Sequence, residues 1–238
     1  MIRVEKLGAT RYGDALDRMR AHIAHRADGH REAADELWLT EHPPVFTLGF
    51  ASRDEHVRDT GDIPVIATER GGQVTYHGPG QVVAYLLLDL RRRRLGVRDL
   101  VCKVEEGLID CLAGYGLAGL RKPGAPGIYV RPRHATAQAC VITETGRETG
   151  TDSEAGHGAD MELAKIASIG LKISRGLSWH GVALNGCMDL EPFRRIDPCG
   201  YPGLRMTDVC TEACTHIDTL AGDLPDRLAA SLVAAIEG

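Results

Sequence analysis

The sequence predicts a mixed α/β (α+β) fold in a single domain spanning residues 1–238, and three observations predict it. Segments with helical apolar spacing alternate with short extended apolar runs, as expected where helices cover a sheet. One run, "GQVVAYLLLDL", is apolar almost without a break, the pattern of a strand buried on both faces. Two further strand-like runs, "LAKIASIGLKI" and "SWHGVALNG", are joined through "SRGL" in a hairpin-like arrangement.

In order along the chain, residues 14–27 place Leu16, Met19, Ile23 and Ala27 on one helical face, and Gly29 ends the run. "DELWLTEHPPVFTLG" is extended and interrupted by Pro43-Pro44. "IPVIATERGG" reads as a short strand feeding a glycine turn, followed by the buried strand. "VRDLVCKVEEGLIDCLAGYG" carries Leu100, Val104, Leu108 and Leu112 in a helical stripe, with Cys111 beside it as core. "GIYV" at 127–130 is a short strand. "LPDRLAASLVAAIEG" closes as a helix with Pro225 in its first turn. Residues 133–160 are rich in Thr, Gly, Ala and acids and read as a surface insertion.

Bulk properties exclude several classes. Hydrophobic residues are 43% and charged residues 26%, an ordinary soluble composition, and no apolar run approaches the ~20 residues that span a bilayer. The first residues mix charges and lack a signal-peptide core, so a cytoplasmic protein is expected. The net charge of −5 matches the imbalance between His134 and Glu162, leaving the rest of the chain neutral and giving no case for nucleic acid. Seven cysteines, an odd number in a chain of this length, argue against a disulfide framework, and most are expected as free thiols.

Cys199 stands apart. In "RIDPCGYPG" it lies between a proline and a glycine, in a segment too broken for helix or strand, where functional groups tend to be displayed. Cys199, Cys210, Cys214 and His216 invite a zinc reading, but "CTEACTH" offers only one tight pair, so no metal is expected. "ERGGQVTYHGPG" sets Arg70, Gln73, Tyr76 and His77 among glycines whose amides can approach a ligand closely. It lacks the Gly-Lys-Ser/Thr ending of a phosphate loop and does not fit a dinucleotide fingerprint.

Taken in order, "LWLTEHPPVFTLG", "RGGQVTYHGPGQVVAYLLLDLRRRRLGVRDLV", "KIASIGLKISRGLSWHGVALN" and "DLEPFRRIDPCGYPGLRMTDV" resemble the lipoyl(octanoyl) transferase family over residues 31 to 221. The resemblance implies a fold like that of the biotin and lipoate protein ligases, a mixed sheet flanked by helices. It implies transfer of an octanoyl group from octanoyl-acyl carrier protein to a lysine of lipoyl domains, those of 2-oxoacid dehydrogenase complexes and the glycine cleavage H protein, with no cofactor. It makes Cys199 the acyl-bearing nucleophile and Lys165 its catalytic partner. It places substrate binding at Arg70, Gly71, Gly72, Gln73, Val74, Thr75, Tyr76 and His77, at Ser168, Ile169 and Gly170, and at Gly181, Val182 and Ala183.

The chemistry stands independently of the resemblance. Thioester exchange onto a thiol is nearly isoenergetic, and the final amide is far more stable, so no ATP is needed. Free cysteine has a pKa near ~8.5, and a neighbouring cation raises its thiolate fraction. His77 and His180, each next to a glycine, are secondary candidates for donating to the thioester oxygen or relaying a proton, and amides near Gly200 or Gly78 for an oxyanion hole. "RRRR" at 91–94 is expected on the surface, where it would dock an acidic carrier protein. The insertion departs from the family pattern. Two competing readings are an ATP-dependent lipoate or biotin ligase on the same fold, which needs no thiol, and a binding module without turnover.

Overall fold

The computed structural model describes residues 1–29, 32–133, 163–214 and 217–238. Apart from Arg133, the stretch read as an insertion lies outside the described residues. A seven-stranded sheet runs in the order β1 (Ile2–Ala9), β2 (Asp35–Glu41), β6 (Gln81–Leu87), β10 (Leu177–Asn185), β9 (Ala164–Ser174), β8 (Gly127–Val130) and β7 (Leu120–Arg121). Only β1 pairs in parallel, with β2. A second sheet of β4 (Val65–Ala67), β3 (Val45–Leu48) and β5 (Thr75–His77) stands beside it. The mixed sheet with flanking helices is the architecture expected from the sequence.

The central strand shows why the pattern is informative. In β6, Ala84 and Leu86 join a core with α3 (Val97–Ala113) and α5 (Ile217–Glu237), while Val83, Tyr85 and Leu87 join one with α1 (Tyr12–Ala27). Both faces are buried, so the alternation expected of a half-solvated strand is absent. Cys111 is fully buried in the first core. The hairpin between β9 and β10 turns at Arg175 and Gly176, with φ of 53° and 82°, the left-handed pair that suits a two-residue turn.

Three elements differ from expectation. β1 is an edge strand with one buried residue, Ile2, so its sequence carries no apolar period. β5 forms inside what reads as a glycine turn, pairing His77 with Val45. α5 begins before Leu224, because its apolar stripe continues back to Leu220 and Pro225 is interior.

Cys187 and Cys210 form a disulfide with their Cα atoms 5.1 Å apart, which the odd cysteine count argued against. The end of β10 and α4 (Val209–Ala213) are brought together by Cys210 N–H donating to Gly186 O at 2.9 Å, a proximity that sequence spacing does not reveal. The arginine run, most of it in the short helix α2 (Leu90–Arg93), is also not simply solvated. Arg92 and Arg93 reach the buried Asp35 carboxylate at 2.7 and 2.6 Å, alongside the fully buried Arg26 at 3.0 Å. Burial works against the charge of Asp35, but the Asp89 amide and these guanidiniums hold its carboxyl below the usual range.

Candidate active site

The cysteine loop is held from both sides. Asp197 N–H donates to His56 O at 2.8 Å, the Asp197 carboxylate pairs with Arg58, and Cys199 N–H donates to Val74 O at 3.2 Å. Cys199 itself has φ 56° and ψ 19°, a left-handed conformation that costs a non-glycine residue ~1–2 kcal/mol and persists where the surroundings enforce it. Gly200 follows with φ 74°, and its N–H is taken by Asp197 O at 2.9 Å, so that amide is spent on the turn.

Lys165 comes from the start of β9, where Met206 forms a parallel bridge beside it and its backbone bonds to Arg205 and Thr207. The side chain is 1% exposed. Its Nζ donates to Pro126 O at 2.9 Å and to Cys199 Sγ at 3.2 Å, and lies 5.3 Å from the centre of the Tyr129 ring. Gly127 makes room for it: a Cβ there would stand 2.5 Å from Ala167 O and 2.7 Å from Lys165 Cε. Among the described residues no carboxylate lies within 4.0 Å of this Nζ. A buried ammonium without an anion is costly, and the sulfur is the group beside it able to take negative charge. Burial pushes the nearby Tyr129 hydroxyl well up, with a negative Cys199 adding to the effect, so Tyr129 stays neutral.

Cys199 opens onto a cavity of about 50 Å³ on the α1 side of the sheet. Of the residues singled out from sequence, Arg70, Gly72, Gln73, Val74, Thr75 and His77 line it from the glycine-rich segment. Ser168, Ile169 and Gly170 line it from β9, and His180, Gly181, Val182 and Ala183 from β10. Gly71 and Tyr76 do not line it. Gly71 N–H is bonded to Leu171 O at 3.0 Å, and Tyr76 packs with Phe46 and Phe193 in a separate cluster, because successive side chains of β5 face opposite ways. Sequence reasoning missed Tyr12, Val83 and Tyr85. The period of β6 puts Val83 and Tyr85 on one face, but nothing in the sequence says that this face meets the cysteine loop.

The two histidines occupy opposite situations. His77 Nδ1 lies 2.7 Å from Gln81 Oε1 and Nε2 lies 3.3 Å from Thr47 Oγ1, so both nitrogens are engaged; Gln81 passes the chain on to Asn185 at 3.0 Å. His180 has φ 57°, is 1% exposed, and neither ring nitrogen has a partner. Burial pushes each imidazole down to about 3, with His42 acting further on His77 and Arg70 on His180. Both are neutral at pH 7.

The residues considered for zinc do not converge. Cys210 is bonded to Cys187, Cys199 faces Lys165, and Cys214 is exposed and accepts from Arg133; His216 lies outside the described residues. Among the described residues no group of three metal-ligating side chains occurs.

A glycine-rich loop over a sheet, with a cavity lined by a cysteine that a buried lysine contacts, leads to the class of the protein: residues 11–220 match the family model described as the lipoyl protein ligase A/B catalytic domain. Among solved structures, lipoate-protein ligase A bound with ATP superposes with a TM-score of 0.62 at 15% identity, covering 98% of this chain and 86% of that one. The bi-partite lipoate protein ligase of Thermoplasma acidophilum gives 0.60 at 14%, covering 97% and 83%. These show a shared fold. The octanoyltransferase of Paraburkholderia phymatum is 49% identical over 97% of this chain and 80% of its own length. That of Methylibium petroleiphilum is 47% identical over 94% and 95%. The chain belongs to the octanoyltransferase family within that class.

Proposed function

We propose that this protein moves an octanoyl group from the thioester of an acyl carrier protein to a lysine of a lipoyl domain, with Cys199 holding the acyl group in between. The observation that carries the reading is the 3.2 Å contact of Lys165 Nζ with Cys199 Sγ, the sulfur lining a cavity of mostly apolar character. The sulfur attacks the donor thioester as thiolate. The departing carrier thiolate takes a proton from Lys165, which leaves a neutral amine beside the acyl-enzyme. The acceptor lysine, arriving as a free amine, attacks the same carbonyl and expels the Cys199 thiolate. Its surplus proton goes to Lys165, restoring the ammonium and thiolate. The apolar floor, including Val83, Ile169 and Val182, takes the hydrocarbon chain. The acceptors are the lipoyl domains of 2-oxoacid dehydrogenase complexes and the glycine cleavage H protein, and the setting is the cytoplasm. Among the described residues no helix is long and apolar enough to cross a membrane.

The ATP-dependent relatives of this fold make the sharpest contrast, since adenylate chemistry has no use for a thiol. Incubation with octanoyl-acyl carrier protein should add one octanoyl group to the intact mass of the protein, and lipoyl domain should then remove it. Cys199→Ala should show no adduct and no transfer. Full transfer by Cys199→Ala, dependent on ATP, would overturn the reading.

A further inference from the structure

The cavity has two chemically different ends. At one, Lys165 and Cys199 meet beside Gly127, which pairs with Ser168 of β9. At the other stands His180, which pairs with Leu171, three residues farther along the same strand. Three residues of strand cover roughly 10 Å, and β8 and β10, on either side of β9, lie roughly 9–10 Å apart, so the His180 backbone is roughly 14 Å from the Gly127 backbone against which Lys165 packs.

This far end is polar. The Arg70 guanidinium, in a residue 7% exposed, reaches Gly170, where a Cβ would stand 3.7 Å from Nη1. Its N–H groups are taken by Thr47 O, Thr47 Oγ1 and Gly71 O. The His180 imidazole has no such partners. Trp179 stacks on it at 4.7 Å and the Tyr85 ring meets it edge-on at 6.4 Å, so the ring is fixed in place. A strained residue that presents an unpaired polar group, neutral and buried, to a cavity marks a place where a ligand or its hydration completes the hydrogen bonding.

An octanoyl chain on Cys199 extends about 10 Å from the sulfur, given carbon–carbon bonds of ~1.5 Å. That reach is of the same order as the roughly 14 Å between the Gly127 and His180 backbones, so the distal carbons run toward the His180 end of the cavity. We infer that His180 sets the upper limit of acyl chain length, and that the far end of the cavity accepts chains bearing a hydrogen-bonding group on the terminal carbon. With eight carbons the imidazole keeps its hydration. A ninth methylene strips that hydration and returns no hydrogen bond, whereas a terminal hydroxyl of the same size replaces it. The inference rests on the acyl-transfer reading and adds what that reading leaves open, the basis of length selection.

The test compares acyl carrier protein loaded with octanoyl, nonanoyl or 8-hydroxyoctanoyl groups, the last two matched in heavy atoms, by the rate at which each adds to Cys199 in intact mass. In the unmodified protein 8-hydroxyoctanoyl should load about ten-fold or more faster than nonanoyl. In His180→Gly, which removes the imidazole and suits the left-handed backbone, that preference should vanish and nonanoyl should load as fast as octanoyl. Equal loading of the two matched groups by the unmodified protein would overturn the inference, and this arm needs no variant to fold. A His180→Gly protein slowed equally on all three donors would also overturn it, pointing to a role at the reacting carbonyl. If octanoyl itself leaves no adduct on Cys199, the acyl-transfer reading fails first, a distinct outcome.

Discussion

The two faces of the large sheet are built from the same strands and solve opposite problems. On the α3 and α5 face, Leu37, Leu39, Leu86, Leu108, Leu228 and Leu232 interdigitate as flexible aliphatics that fill space. On the α1 face, the corresponding positions carry Tyr12, Trp38, Tyr85 and Trp179, and the cavity lies there. Tyr85 and Trp38 are tied at their polar ends and resist collapse: Tyr85 Oη lies 2.7 Å from His42 Nε2, whose other nitrogen lies 2.6 Å from Thr10 O, and Trp38 Nε1 donates to Glu36 Oε2 at 2.7 Å. The comparison teaches that the aliphatic face supplies stability, while the aromatic face uses its hydrogen bonds to keep a hole open beside the thiol.

If that division is correct, substitutions on the two faces should separate activity from stability. Cys199→Ala and Lys165→Met, at the sulfur–ammonium contact beside the cavity, should each lower octanoyl transfer by at least about 10³-fold while leaving the fold intact by circular dichroism. Retained transfer by Lys165→Met would break the comparison at its centre. Leu108→Ala, on the aliphatic face, should cost about 2–5 kcal/mol in urea unfolding while the rate of Cys199 alkylation in the native protein stays unchanged. Gly127→Ala forces Lys165 off its position and should lower transfer about 10²-fold through kcat, with the substrate KM little changed.

The remaining effect concerns pH. His77 and His180 on the aromatic face titrate at about 3 when folded, against ~6.5 in an unfolded chain. Their folded values are depressed, so the unfolded state binds more protons between those limits. Stability is therefore complete above pH ~6.5 and falls as pH drops toward 3, by up to about 1.4 kcal/mol per pH unit for each histidine. Urea midpoints between pH 7 and 4 measure the slope, which should be shallower in His180→Asn. A slope unchanged by that substitution would assign the acid sensitivity to other groups.

Much of the fold is legible because buried elements write their geometry into the apolar pattern. β6 reads as an unbroken run, the hairpin of β9 and β10 as two runs around a glycine turn, and α3 as a stripe ending near Cys111. β1 leaves no such trace, since its backbone pairs with β2 while most of its side chains face solvent. Within the site, the contiguous segment 70–77 reads as one binding unit. The structure divides it, turning Thr75 and His77 toward the cavity and Tyr76 away. Tyr12 lies just before the helix read from sequence over 14–27, and only the packing of α1 against β10 brings it to the cavity wall.

Sequence alone determined most of the elements, the turn that carries Cys199 and the family, because these follow from local period, turn chemistry and motifs that occupy short stretches of chain. Tertiary structure alone gave the 3.2 Å contact between that sulfur and Lys165, 34 positions away and paired with it beforehand only by family resemblance, and decided that Cys187 meets Cys210 and that His77 is hydrogen-bonded while His180 is left unpaired. Those are distances between strands and loops far apart in the chain, and no one-dimensional pattern encodes them: they exist once the sheet has set its register and the backbone has turned left-handed at positions 180 and 199.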